Sequence, residues 1–232
     1  TTNLAGLWTF NGPDTNFSLN STEDGTSGNK DGTLSGFTAA SAAPGKSGQA
    51  LDFDGSTSKI SMGDNFDIAN GADFSLSGWF SRESFSNDHT ILAKKNGQTS
   101  SDGYMVYIDD SDDKLHVSIE DILINTFTMV SSTPFTNSDW NFFTIVFDES
   151  DANGRKIFIN GSDDTGTKTG TLSFVGDLSN AVNFTIGAES DSQNFFDGKL
   201  DEMRIYTSAL SDAEAAGLYS AASGYKLNVP GL

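Results

Sequence analysis

The sequence predicts an all-β domain in which two antiparallel sheets pack against each other as a sandwich. About a dozen short apolar and aromatic segments recur at roughly 8–12-residue spacing, which is typical of antiparallel sheets. Turn-forming Gly, Asn, Asp and Ser residues separate these segments. The chain has 232 residues, 36% of them hydrophobic, with 18 Phe and 3 Trp, and this is enough for one large core.

The predicted strands are chosen for apolar alternation and for β-branched or aromatic content. The segment FSLSGWF alternates apolar and small polar residues, as a half-buried strand does. The segment NFFTIVF is hydrophobic almost throughout, which favours a position in the middle of a sheet. Asp54 and Gly55 form a hairpin turn between two short strands. In chain order, strands are predicted at residues 4–10, 49–53, 59–62, 74–80, 90–94, 104–108, 115–119, 122–128, 141–147, 155–160, 172–175, 183–186 and 200–206.

Two other segments depart from the strand pattern. Residues 11–32 are almost wholly polar, and a loop of this length inside a domain is usually functional, braced by an ion or disordered. Residues 211–220 form the one predicted helix, because Ser211 followed by Glu214 makes a capping box. We therefore predict one domain over residues 1–222 and a tail or linker over residues 223–232.

Composition excludes several classes of function. The formal charge of −19, from 32 acidic against 13 basic residues, disfavours binding to nucleic acid or to anionic membranes and favours cations such as Ca²⁺. The absence of cysteine excludes disulfides, thiolate zinc sites and cysteine nucleophiles. No apolar run approaches the ~18 residues of a membrane span, and the first residues lack a signal-peptide pattern. We expect a mature or excised segment without membrane insertion.

Two adjacent acids in the last predicted strand, Asp201 and Glu202, are the most informative feature. Neighbouring side chains of a regular strand point to opposite faces, so one carboxylate should face inward. A buried carboxylate needs a partner, which could be Arg204, backbone donors or a bound cation. The segment 11–32 also carries oxygen-bearing side chains, but their spacing does not match the twelve-residue helical calcium loop. These side chains are Asp24, Asn29 and Asp31.

An ordered series of short motifs resembles a known family. The motifs are GLWTF at 6–10, TSGNKDGTL at 26–34, GQALDFDG at 48–55, FSLSGW at 74–79, WNFF at 140–143, IFING at 157–161, FDGKLDEMRIY at 196–206 and LS at 210–211. No single motif is specific, but together they span nearly the whole chain. In this order they resemble the laminin G-like (LamG) jelly-roll domains of bacterial extracellular proteins, in the concanavalin A-like lectin/glucanase superfamily.

The resemblance implies a jelly-roll sandwich with a structural Ca²⁺ that ties the amino-terminal loop to the last strand. By position in the family pattern, the metal ligands would be Asn11, Asp24, Asn29, Asp31 and Asp201. Because Ca²⁺ takes 6–8 oxygen ligands, backbone carbonyl groups would have to complete the shell. The resemblance also implies a secreted or cell-surface protein in which this domain is a monomeric module of a larger chain.

Catalysis is not expected. Glucanases of the superfamily place acids in the pattern Glu-x-Asp-x-x-Glu along one strand, and the nearest match here begins at Glu189 and ends at Asn194 in a loop-like segment. A lyase that uses Tyr104 or Tyr107 together with His116 and Arg82 is a weaker alternative.

A binding module is the preferred interpretation. Sugar sites combine an aromatic platform with polar side chains that bind hydroxyl groups. The three Trp lie in apolar motifs and are assigned to packing. The predicted ligand-binding residues are Arg82, Phe85, His89, Tyr104, Tyr107, Gln193, Asn194 and Phe195.

The sequence thus favours a calcium-stabilised, non-catalytic carbohydrate-binding or adhesion module. The acidic surface favours neutral sugars over anionic ones, and a cell-surface partner is also compatible with it. A structural spacer or protein-interaction domain with no glycan ligand stays open as the alternative, because such a domain could have the same sequence.

Overall fold

The computed structural model of the protein describes residues 3–97, 102–121, 123, 125–170 and 176–223. Within these residues, two antiparallel sheets pack as a jelly-roll sandwich and one short helix follows the last strand, which confirms the predicted fold class. The strands are β1 (Leu4–Trp8), β2 (Thr15–Asn16), β3 (Ser21–Thr22), β4 (Gly32–Ser35), β5 (Ala42–Pro44), β6 (Gln49–Asp54), β7 (Lys59–Ser61), β8 (Phe74–Arg82), β9 (His89–Lys94), β10 (Gly103–Ile108), β11 (Lys114–Glu120), β12 (Thr126–Pro134), β13 (Asn141–Phe147), β14 (Lys156–Ile159), β15 (Ser162–Asp163), β16 (Thr165–Gly170), β17 (Thr185–Ile186) and β18 (Asp197–Tyr206). The helix is α1 (Asp212–Ser223).

The first sheet has eight strands in the described part of the chain, in the order β15-β14-β13-β8-β18-β6-β5, and β1 also pairs with β18. The second sheet has ten strands there, in the order β16-β12-β11-β10-β9-β17-β7-β4-β3-β2. The closing strand β18 therefore lies in the middle of the first sheet, between β8 and β6. This position brings both ends of β18 close to loops from distant parts of the sequence.

The core lies between the two sheets and is built from alternate residues of the strands. In β8, Phe74, Leu76 and Phe80 face this core, as the alternating sequence predicts. Trp8 is buried in the same core, and its indole Nε1 donates a hydrogen bond to the carbonyl oxygen of Lys30 at 3.0 Å. This bond attaches the polar segment 11–32 to the sandwich.

Helix α1 covers the outer face of the first sheet. Tyr219 packs against Trp79 with ring centroids 5.7 Å apart, and Trp79 packs against Phe142 at 5.0 Å. The predicted capping box is present, since Ser211 N donates to Glu214 Oε2 at 2.9 Å and Glu214 N donates to Ser211 Oγ at 3.3 Å. Among the described residues, no helix has both the length and the apolar character needed to cross a membrane.

A β-bulge interrupts β18 at the two adjacent acids. The pairing of β18 with β8 shifts between Asp201 and Arg204, and Glu202 has a φ of 54°. Because the bulge adds one residue, Leu200 and Met203 both face the core although they are three positions apart. Asp201 and Glu202 therefore both lie on the outer face of the first sheet, whereas a regular strand would have placed them on opposite faces.

Several predicted elements differ from those observed. The strand predicted at 122–128 occupies Thr126–Pro134 instead, and Ile122 lies outside the described residues. The strand predicted at 172–175 and most of the predicted tail at 223–232 also lie outside them. The prediction missed β16, because its sequence TGTKTG has no apolar residue and its position depends on backbone pairing with β12.

Candidate functional site

The loops at one end of the sandwich surround a pocket of about 230 Å³. The segment after β8 and the segment before β18 meet there, because Glu83 N donates to the Asp197 carbonyl oxygen at 2.9 Å. The turn after β6 joins them, since Gly55 N donates to the Phe196 carbonyl oxygen at 3.0 Å. We call this site the loop pocket; it is lined by Gly55, Ser84, Ser86, Asn87, Asp88, His89, Asn194, Phe195 and Asp197.

Arg82, at the end of β8, is fully buried beside the loop pocket and holds the surrounding loops together. Its Nη1 donates to Asp113 Oδ1 at 2.5 Å and to the Phe135 carbonyl oxygen at 3.2 Å, and its Nε donates to the Ser84 carbonyl oxygen at 2.8 Å. The Phe85 ring lies 4.8 Å from the guanidinium carbon. Arg82 therefore positions the β8–β9 loop and supports the ring of Phe85 by a cation–π contact.

Two aromatic rings accompany this loop end. The side chain of Phe85 is 43% exposed, which is unusual for a large apolar residue of this protein and leaves a ring surface open to a ligand. Phe195 is partly exposed and lines the loop pocket directly. Ring surfaces of this kind can pack against the apolar face of a sugar.

His89 opens β9 and lines the loop pocket, although only 3% of the residue is exposed. Its Nδ1 lies 3.2 Å from the Phe195 carbonyl oxygen and 3.3 Å from the Asp197 backbone nitrogen, so Nδ1 donates to the former or accepts from the latter according to the tautomer. Burial lowers the pKa of His89, and the nearby Arg82 guanidinium lowers it further. Among the described residues, His89 Nε2 has no hydrogen-bond partner.

Asn194 has left-handed backbone geometry, with a φ of 46°, which Asn tolerates better than most residues. Its carbonyl oxygen accepts a hydrogen bond from Thr90 N at 3.0 Å, and its Nδ2 donates to Glu189 Oε1 at 2.7 Å. Burial raises the pKa of Glu189, which is only 2% exposed. The contact with Glu189 fixes the amide, so that Asn194 Oδ1 is the atom left to accept a hydrogen bond from a ligand.

The structure thus brings together Arg82, Phe85, His89, Asn194 and Phe195 from the predicted ligand-binding set. It places the other three elsewhere. Gln193 lies next to Asn194 in the chain but does not line the loop pocket.

The two tyrosines of β10 face opposite sides of the second sheet. Tyr104 is fully buried in the core, and its hydroxyl donates to the Phe66 carbonyl oxygen at 2.8 Å, which leaves no ring face for a ligand. Tyr107 lies on the outer face, 7% exposed, with its ring 5.3 Å from that of His116. His116 Nε2 lies 3.1 Å from Asp112 Oδ1. These positions do not bring Tyr104 to the pair formed by Tyr107 and His116.

The amino-terminal members of the predicted metal set form a compact turn. Asp24 Oδ1 accepts hydrogen bonds from Leu7 N and Thr26 N, both at 3.0 Å, while its Oδ2 accepts from Thr26 Oγ1 at 2.8 Å and Lys30 N at 3.0 Å. Asp31 Oδ1 accepts from Asp24 N at 2.9 Å, and Asn29 is exposed. These four bonds engage both carboxylate oxygens of Asp24, so hydrogen bonding alone can brace this loop.

The other two predicted metal ligands lie against the turn between β5 and β6. Asn11 Oδ1 accepts from Gln49 N at 2.9 Å. Asp201 Oδ2 accepts from Lys46 N at 2.8 Å and from Ser47 N at 2.9 Å, whereas its buried Oδ1 has no partner among the described residues.

These geometries do not gather the predicted set around one point. Among the described residues, Asp24, Asp31 and Asp201 do not place their ligand atoms within 4.8 Å of one another. The three carboxylates therefore do not share one ion through their side chains, and among the described residues Asp201 Oδ1 is a buried oxygen without a donor. Calcium stays a prediction.

Sequence reasoning missed several residues that the fold gathers. Asp88 and Asp197 line the loop pocket, although they are 109 positions apart. A buried ion pair joins Lys95 Nζ and Glu120 Oε2 at 2.9 Å on the second sheet. The two pocket acids could have been found from their positions, because each lies where a loop meets a strand. Asp88 is the last residue of the loop between β8 and β9, and Asp197 is the first residue of β18.

Comparison with known proteins identifies the family of this domain. A laminin G family model, described as the concanavalin A-like lectin/glucanases superfamily, matches residues 53–216. The match covers the greater part of the chain, and the protein belongs to this family. A sequence comparison with curated proteins gives no match.

Solved structures share the fold at low sequence identity. The binding domain of Paraclostridial Mosquitocidal Protein 1 has a TM-score of 0.69 and 16% identity, over 94% of this chain and 52% of that chain. The ligand-binding domain of botulinum neurotoxin serotype D in complex with N-acetylneuraminic acid has a TM-score of 0.63 and 16% identity, over 94% and 51%. Domain 4 of AbnA, a GH43 extracellular arabinanase from Geobacillus stearothermophilus, in complex with arabinotriose, has a TM-score of 0.61 and 22% identity, over 94% and 98%.

The chain therefore spans about half the length of the two toxin domains and nearly the whole of the arabinanase domain. At these identities the likeness describes the fold and not the ligand.

Proposed function

We propose that the protein is a non-catalytic carbohydrate-binding module and that the loop pocket binds a neutral sugar. The observation that carries this proposal is the convergence of His89, Asn194 and Phe195 on one pocket, although they come from two distant segments of the chain. The exposed ring of Phe85 lies next to this pocket, between the lining residues Ser84 and Ser86 in the chain and over Arg82. The same positions are predicted from the sequence for sugar recognition.

The chemistry of the lining supports a hydroxylated ligand. A sugar hydroxyl both donates and accepts hydrogen bonds, so it can pair with His89 Nε2 in either tautomer. Asn87 and Asn194 add amide groups, and Ser84 and Ser86 add hydroxyl groups. A pocket of about 230 Å³ lies below the usual range for small-ligand sites, which begins at about 300 Å³, and this size suits one or two sugar rings.

The comparisons add support of a different kind. The arabinanase domain that this chain matches along nearly its whole length is described in complex with arabinotriose, and a neurotoxin domain with N-acetylneuraminic acid. Both are sugar complexes of the same fold. By analogy we propose a secreted or cell-surface location, an adhesive role in a larger protein, and a monomeric module.

We also propose that Ca²⁺ stabilises the domain, as the resemblance to laminin G-like domains implies. The supporting observation is the buried Oδ1 of Asp201, which has no partner among the described residues and which a cation would satisfy.

The glycan proposal is tested by array screening followed by calorimetry on the best neutral oligosaccharide. Asn87→Gly removes an amide from the loop pocket while it preserves a left-handed backbone, since Asn87 has a φ of 68°. Asn20→Gly is the matched control, because Asn20 has a φ of 52° in the β2–β3 turn and does not line the pocket.

We expect Phe85→Ala and Asn87→Gly each to weaken binding by about tenfold, or about 1.4 kcal/mol, and Asn20→Gly to leave it unchanged. Leu19→Ala, at a residue 74% exposed, is the control for Phe85→Ala. No binding by folded protein on the array, or equal losses in the controls, would contradict the proposal. Release of new reducing ends from bound polysaccharide would contradict the non-catalytic part.

A further inference from the structure

The loop pocket carries an uneven charge distribution. Asp88 and Asp197 line it, and none of its described lining residues is Lys or Arg. A neighbouring depression of about 310 Å³ shares Asp197 and adds Asp52, Asp54 and Glu83, and the part of the chain that the structure describes contributes no basic residue to its lining. The two depressions form one surface, which we call the acidic groove, with carboxylates along its length.

The partners of these carboxylates differ. Asp54 is engaged by its own turn, where Oδ1 accepts from Ser56 N at 2.9 Å, and Glu83 forms an ion pair with Lys199. The Asp197 carboxylate has no hydrogen bond or ion pair within the described residues. It lies at the junction of the two depressions, so an unneutralised negative charge sits at the centre of the acidic groove.

A second observation at the same place points to a ligand. His89 is only 3% exposed, lines the loop pocket, and keeps Nε2 without a partner among the residues described. Burial lowers the pKa of the His89 ring and the Arg82 guanidinium lowers it further, and both effects favour the neutral imidazole. In the tautomer in which Nδ1 donates to the Phe195 carbonyl oxygen, Nε2 is a buried acceptor that no described residue satisfies.

We propose that the acidic groove selects glycans that carry free, protonated amino groups, such as oligomers of glucosamine. The ammonium group lies at Asp197, with Asp88 and the neutral His89 as further acceptors, while Asn87 and Asn194 bind hydroxyl groups. This assignment rests on the proposed function and adds to it the chemical class of the sugar.

Charge decides between the sugar classes. A protonated amine gains charge-assisted hydrogen bonds to the Asp197 carboxylate, which are stronger than those of a neutral hydroxyl. An N-acetylated sugar loses that charge, and a uronic acid meets repulsion from Asp88 and Asp197. The overall charge of −19 adds a long-range attraction for cationic oligomers that salt screens.

The test is calorimetry with matched hexamers of glucosamine, N-acetylglucosamine and glucose at low and high salt. We expect the glucosamine hexamer to bind about tenfold or more tightly than the other two at low salt. Asp197→Asn, which keeps the size of the side chain, should reduce the glucosamine affinity to that of the glucose hexamer. Glu23→Gln, at an exposed acid outside the groove, is the control for nonspecific charge and should preserve the preference.

Two results overturn the inference in distinguishable ways. Equal affinity for all three hexamers, with no effect of Asp197→Asn, refutes the amine selectivity and leaves the glycan-binding proposal intact. A preference that Glu23→Gln and Asp197→Asn reduce equally assigns the effect to net charge and also refutes the site. Failure of every hexamer to bind, on protein shown to be folded, refutes both proposals.

Discussion

Replacing Asp201 by Asn should make the stability of the domain less dependent on pH. Asp201 is fully buried between the first sheet and the turn after β5, and its Oδ2 accepts two backbone hydrogen bonds. Burial raises the pKa of this carboxyl from 3.8 to about 7, and the neighbouring Glu202 carboxylate adds to the effect. The substituted asparagine side chain can accept the same two hydrogen bonds through its amide oxygen but carries no charge at any pH.

The sign follows from proton binding. Because the folded state holds the Asp201 proton more tightly than the unfolded chain does, this group stabilises the fold fully below about pH 4, and the contribution is lost as the pH rises to about 7. The folded-state pKa of Asp201 lies about three units above its ordinary value, and at 1.36 kcal/mol for each unit this corresponds to about 4 kcal/mol of unfolding free energy. In the absence of metal, Asp201→Asn should match the wild type near pH 4 and exceed it by up to about 4 kcal/mol at pH 8.

Urea unfolding in EDTA, followed by tryptophan fluorescence from pH 4 to pH 8, measures this difference. The comparison of variant with wild type at each pH removes the contributions of the other acids. Glu23→Gln, at an exposed acid, should follow the wild-type curve throughout. Parallel curves for Asp201→Asn and wild type would refute the reasoning, because they would mean that Asp201 titrates alike in the folded and unfolded states.

Two further predictions concern the metal and the buried ion pair. If Ca²⁺ binds at Asp201, Ca²⁺ at a hundredfold excess over its dissociation constant should stabilise the wild type at pH 8 by about 2.7 kcal/mol. The same Ca²⁺ concentration should stabilise Asp201→Asn by much less. A melting temperature of the wild type that is the same in EDTA and in Ca²⁺ would contradict calcium binding. Lys95→Met should cost about 3–5 kcal/mol at pH 7, because it leaves Glu120, 3% exposed, buried without its cation. In denaturant unfolding, the double variant Lys95→Met, Glu120→Leu should recover most of the lost free energy of unfolding. If the double variant is no more stable than Lys95→Met alone, packing and not charge controls the stability at this site.

Periodicity predicted the sheets because it depends on local chemistry. The alternation in FSLSGWF places Phe74, Leu76 and Phe80 on the core face of β8, as predicted. The capping box at Ser211 and Glu214 is also local, and it starts the helix as predicted. β16 could not be found in this way, since a strand without apolar residues is defined only by the partner that it pairs with.

The candidate site was predictable in part. Phe85 and His89 stand close together in sequence, and Asn194 and Phe195 form a second polar and aromatic group, so residue type and proximity were sufficient to nominate them. The tyrosines of β10 show the limit of this reasoning. Tyr104 and Tyr107 are three positions apart, so the two-residue period of a strand places them on opposite faces, and only the packing of the sheet decides that Tyr104 is the one that enters the core.

By itself, the sequence determined the all-β class, most of the strands, the acidic surface and the family resemblance, because each depends on residue types at short spacing. The tertiary structure decided where the acids act. The bulge in β18 turned Asp201 and Glu202 to the same face, and the meeting of the loop after β8 with the start of β18 placed Asp197 beside Asp88. Such encounters depend on pairing between segments about a hundred residues apart, and no local pattern encodes them.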